Sequence, residues 1–108
     1  MQGLSEREQK IAKKADEIEA ELRRLGWWSD VPPSEKAFQE MGAFGQNTMT
    51  FAAWLQFVLL PRVRGIIAER GEFPSDSSVG AYAVRELDGQ DEASDLVSRL
   101  IEFDALFE

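Results

Sequence analysis

Along the first quarter of the chain the apolar residues Ile11, Ala15, Ile18, Leu22 and Leu25 recur at steps of four, three, four and three. That spacing puts them on one narrow stripe of a helix, so a helix is predicted from about Glu6 to Leu25, on the outside of a bundle with its charged faces wet. Ser5 and Glu8 form the S-x-x-E capping box at its start, the hydroxyl accepting from a first-turn amide while the carboxylate reaches back to the cap amide. Gly26 supplies the left-handed residue that ends it. Trp27 to Pro33 cannot continue the helix, because Pro32 and Pro33 fix φ and push the residue before each of them into extended geometry. Ser34 then caps a short helix over Glu35 to Met41, with Phe38 and Met41 inward and Gly42 and Gly45 as its stop.

From Phe51 to Leu60 the chain is apolar except for Gln56. A helix without a wet face belongs in the middle of a structure, so this one, capped by Thr48 or Thr50, is predicted to be the core helix. Pro61 lacks an amide donor and its ring meets the carbonyl of Phe57, so a kink or break is expected there before Val63, Ile66 and Ile67 carry the pattern to Gly71. Ten residues, nine of them apolar, fall well short of the ~20 that cross a bilayer, and no membrane association is expected. A loop from Glu72 to Ser78, a short helix from Val79 to Leu87 ended by Gly89, and a last helix capped by Asp91 complete the pattern. That last helix carries Leu96, Val97, Leu100, Ile101, Phe103, Leu106 and Phe107 as its apolar set. With no alternating strand pattern and no repeat, the chain is expected to be all-α, a bundle of about four to five helices forming one domain over 1–108.

Composition narrows the chemistry more than the architecture. There is no cysteine and no histidine, which removes disulfides, thiolate metal sites, cysteine nucleophiles and the imidazole that most hydrolytic machinery uses near neutral pH. No nucleotide-binding, zinc or calcium motif is present. Asp91, Glu92 and Asp95 crowd one helix start, but acids there already complement the helix dipole. No metal and no cofactor is expected, and the chain is not expected to be an enzyme. No secretory signal is visible after Met1, which makes the cytoplasm the expected location.

Net charge is −8, unevenly spread: residues 1–68 hold nine acids and nine bases, so the whole excess lies in the last forty residues, where eleven acids face Arg70, Arg85 and Arg99. Such a surface repels phosphate backbones, so direct nucleic-acid binding through it is not expected, while a basic protein partner is allowed. Trp27, Trp28 and Trp54 are candidate binding residues because tryptophan is frequent in interface hot spots. Trp54 lies in the apolar helix and is expected to be buried, and of the tandem pair only one can easily turn inward.

Two charged residues do not fit the apolar arcs. Turning ~100° per residue, Asp104 falls at about 80° from Leu96, among Leu100 and Val97, and Arg62 falls at about 80° from Trp54, among Val58 and Leu55. A carboxylate and a guanidinium inside apolar arcs each need a partner, and a buried Arg62–Asp104 ion pair is the expectation. The rival reading places Arg62, Gln56 and Asp104 around a pocket between helices that takes a small ligand.

The stretches Trp54-Leu55-Gln56-Phe57-Val58-Leu59-Leu60-Pro61-Arg62 and Leu100-Ile101-Glu102-Phe103-Asp104-Ala105-Leu106-Phe107 resemble the two signature stretches of the YqcC-like family of small bacterial proteins. The resemblance covers nearly the whole chain. It implies a small helical bundle from a gram-negative bacterium, of uncharacterised biochemical function, and in some genomes encoded beside a tRNA pseudouridine synthase. Together these readings favour a non-enzymatic interaction or accessory module over a small-ligand carrier or enzyme.

Overall fold

The computed structural model describes residues 3–45 and 48–107. Helix α1 (Glu6–Arg24) begins with the expected capping box: the Glu8 amide donates to Ser5 Oγ at 3.1 Å and the Ser5 amide to Glu8 Oε1 at 2.8 Å. It ends at Gly26, whose φ of 75° lies in the left-handed region. Of the five stripe residues, Ile11, Ala15, Ile18 and Leu22 are fully buried, while Leu25, just past the helix end, is partly buried. Helix α2 (Glu35–Gln39) is capped by Ser34 and stops two residues before Met41; Phe38 and Met41 only lean on the core.

The core helix is one helical path from Phe51 to Glu69, made of α3 (Phe51–Trp54), a π turn (Leu55–Leu59) and α4 (Leu60–Glu69). Thr50, not Thr48, caps it, accepting from the Ala53 amide. Pro61 does not break the path. The disturbance falls one turn ahead of it, where the Leu60 amide reaches back five residues to the Leu55 carbonyl, a widened turn of the kind that accommodates an interrupted hydrogen-bond ladder. By length and composition Phe51–Glu69 could cross a membrane, but here α4 packs on α1, which in turn packs on α6 (Ser94–Ala105), and the buried side of the path serves as part of the core. The path ends at Arg70, one residue before the expected glycine, with φ 56°. The left-handed arginine is held by its side chain, which donates to Glu8 Oε1 at 3.2 Å and to the Gly3 carbonyl at 3.0 Å.

Helix α5 (Val79–Glu86) packs against α6. Asp91 does not cap α6: Asp91–Ala93 forms a 3-10 turn, and Ala93, buried, precedes the helix without a side-chain cap bond. No strand occurs among the described residues. Ile11, Ile18, Leu22, Leu55, Leu60, Leu96, Leu100 and Phe103 are the largest fully buried side chains, each contributing roughly 1.5–3 kcal/mol through burial.

Ion pairs stitch the outside of α1 to the rest: Arg64 to Asp16 and Glu19, Lys14 to Glu102, Arg70 to Glu8. Three carboxyls have pKa values lowered from the ordinary 4.5: Glu8 chiefly through the Ser5 backbone amide, Glu19 chiefly through Arg23 and Glu102 chiefly through Lys14. Their protons bind more tightly in the unfolded chain, so their stabilising contribution is present above that value and is lost as pH falls through and below it. Thermal midpoints should therefore drop as pH is taken from 5 to 3, and the drop should be shallower in a Glu8→Gln/Glu102→Gln variant. Equal acid sensitivity of variant and parent would disprove this.

Candidate functional site

Asp104 and Arg62 do not meet, which corrects the expected buried pair. Asp104, half-buried on α6, accepts from Ser77 Oγ at 2.6 Å, from the Gly80 amide at 2.8 Å and from the Ala81 amide at 3.3 Å. It thus supplies, from another helix, the N-terminal cap that Ser78 fails to give α5. Arg62 is exposed and makes no ion pair with any described residue. The wheel placed it among apolar neighbours because it assumed ~100° per residue throughout; the π turn between Trp54 and Arg62 carries fewer degrees per residue and turns everything beyond it to a new phase.

Gln56 is buried, and its side chain spans one backbone unit of the connector: Oε1 accepts from the Ser29 amide at 2.8 Å and Nε2 donates to the Ser29 carbonyl at 2.7 Å. It is a clamp and contributes nothing to a pocket at Arg62. Gln56→Leu should lower stability by about 2 kcal/mol, because two partly buried backbone groups lose their partner; urea midpoints within error of the parent would show that water replaces the clamp without loss.

Trp54 is buried, 4% exposed, as expected. Trp27 and Trp28 are both half-buried and both lean on the core, so neither is simply inward or outward. The Arg23 guanidinium lies 4.5 Å from the Trp28 ring centre, a cation–π contact that occupies that face.

Arg62 instead stands on the rim of a cleft of about 240 Å³ between the core helix, the loop over 72–78 and α6. The floor is apolar: Trp54, Leu59 and Val63 from the core helix, Val79 from α5, Phe103 from α6 and Phe107 just beyond it, all buried. Aromatic clusters stand on either side. Phe44 stacks on Tyr82 with ring centres 4.3 Å apart and meets Trp54 edge-on at 5.2 Å. Across the cleft, Phe107 lies 5.8 Å from Phe73 and 4.8 Å from Phe103. Arg62, Asp76, Ser77 and Ser78 make the polar rim. Asp104 shapes this site indirectly, since its bonds to Ser77 and the start of α5 hold one wall. Phe44 and Phe73 are the lining residues sequence reasoning missed: both lie in loops, where no periodicity marks a side chain as inward.

The result is a small helical bundle with a polar-rimmed aromatic cleft at Arg62 and, among the described residues, no gathered set of three or more acids that could hold a metal ion. The chain belongs to the DUF446 family, described as tRNA pseudouridine synthase C, whose model matches residues 10–106. It is similar to the uncharacterized protein YqcC of Escherichia coli K12, 29% identical with 83% of this chain and 84% of that protein covered. The solution NMR structure of E. coli YqcC superposes with a TM-score of 0.83 at 25% identity, over 95% of this chain and 89% of that one. The YqcC likeness carried by the two sequence stretches is thereby borne out, as is the all-helical fold. A further relative, tRNA pseudouridine synthase C of Pectobacterium carotovorum, is 38% identical over 56% of this chain, and the match spans 16% of that protein.

Proposed function

We propose that this protein is a non-enzymatic accessory module of tRNA pseudouridine modification, working in the cytoplasm by contact with the synthase. The observation that carries the reading is that a segment similar to 56% of this chain occupies 16% of a protein named tRNA pseudouridine synthase C, the arrangement expected where a small module accompanies a larger enzyme. The module's own charges point the same way. A tRNA-handling enzyme presents a basic face, and the acidic excess of residues 69–108 is complementary to such a face and repels the tRNA itself.

The test is genetic and biochemical in the same cells. Deleting the chain should lower the pseudouridine fraction at the synthase's tRNA position several-fold, and the tagged chain should recover the synthase at low salt and lose it at high salt, because exposed charges are screened within about 8 to 10 Å at physiological ionic strength. Unchanged pseudouridine together with no recovery of the synthase at low salt would overturn the reading.

A further inference from the structure

We propose that the cleft at Arg62 is a binding site for a small monoanion with an aromatic or short alkyl body, a site independent of any contact with a synthase. Its volume of about 240 Å³ leaves room for about eight non-hydrogen atoms at the ~30 Å³ that a water-sized group occupies in a liquid, enough for a phenyl ring and a short arm with the charged head out on the rim. Its floor and sides are apolar and largely aromatic, with Trp54, Phe44, Phe73, Phe103 and Phe107 turned to the same space. Flat or slender apolar bodies gain both burial and ring contact there.

The head group follows from the rim. Arg62 is the cation on it, and no described carboxylate lies within ion-pair distance of its guanidinium. Arg64 pairs with Asp16 and Glu19, Arg23 with Glu19, Arg24 with Glu21, Arg70 with Glu8 and Arg99 with Glu102, while Arg7 lies over the Phe73 and Phe107 rings and Arg85, like Arg62, makes no ion pair with a described residue. A planar guanidinium left open beside an apolar hollow suits a carboxylate, which it grips with two parallel hydrogen bonds. Asp76 on the same rim limits the ligand to a single negative charge, since a phosphate dianion would meet repulsion there. Ser77 Oγ is spent on Asp104, so the head is recognised by charge more than by hydroxyl contacts.

The experiment uses three probes with one body and three heads: phenylacetate, 2-phenylethanol and phenethylamine, titrated into the full chain at neutral pH and followed by amide chemical shifts. Phenylacetate is expected to bind at least tenfold more tightly than phenethylamine, with the largest shifts at residues around the cleft. Arg62→Gln should remove that preference while leaving 2-phenylethanol binding and the thermal midpoint unchanged, since the side chain is exposed and makes no ion pair with a described residue. Arg64→Gln, a neighbouring cation outside the cleft, should leave the preference intact. Equal binding of the three probes, no saturable shift with any of them, or a loss in Arg64→Gln equal to that in Arg62→Gln would each overturn the proposal.

Discussion

Gly80→Ala should be among the most damaging single substitutions in the protein, lowering stability by about 3 to 4 kcal/mol although alanine is the better helix former. A β-carbon built on Gly80 would lie 2.7 Å from the Ile101 Cα, 2.7 Å from the Ile101 amide nitrogen and 2.8 Å from the Leu100 carbonyl carbon. These are backbone atoms of α6 and cannot swing aside, so α5 must move away from the helix that carries its cap. The same change at Gly65, where nothing lies within 4 Å of the added atom, should raise stability by roughly 0.5 to 1 kcal/mol from helix propensity alone. Calorimetry on the two variants checks the sign as well as the size: for a domain of this length Gly80→Ala should lower the midpoint by roughly 12 °C or more. A fall at both positions, or at neither, would mean that the α5–α6 approach is not what makes the glycine necessary.

Asp104→Leu should cost about 3 kcal/mol, for a reason that has nothing to do with Arg62. The carboxylate accepts three hydrogen bonds, two of them from the first amides of α5, and its removal leaves those donors without a partner at a helix N-terminus. Arg62→Met should stay within about 0.5 kcal/mol of the parent, as exposed substitutions do. The double variant should then match Asp104→Leu to within about 0.5 kcal/mol, because residues that share no contact act independently. Recovery of stability in the double variant, by more than about 1 kcal/mol over Asp104→Leu, would restore the ion pair that the geometry denies.

That contrast marks how far the sequence could be read. Local signals were legible: the Ser5–Glu8 box, the buried stripe of α1, the turn at Gly26 and the inward Trp54 all depend on neighbours within one or two turns. Asp104 was legible as an anomaly but not as a cap, because the amides it holds lie 24 and 23 residues earlier in the chain and only the tertiary packing of α5 on α6 brings them near. The position of Arg62 was lost to a single irregular turn, since a wheel drawn with one fixed angle carries its error to every later residue. The cleft was hidden for a different reason, as two of its aromatic rings come from loops and neither loop repeats.

The Gln56 clamp on Ser29 has a consequence for motion. Among the described residues from 27 to 50 only Gly45 is buried, so this stretch shares little of the core that holds α1, the central helix and α6 together. Elements with so few buried contacts open at a free energy below that of global unfolding. Ser29 is pinned to the core helix by the two Gln56 bonds and Phe44 rests on Trp54 and Tyr82, whereas the 2.7 Å bond from Thr48 to the Ala37 carbonyl ties the stretch only to itself. Ala43 and Phe44 wall the cleft, so one side of the hollow beside Arg62 is built from this thinly buried stretch and the other from the packed helices, and a substitution at Gln56 should be felt at the cleft as well as in stability.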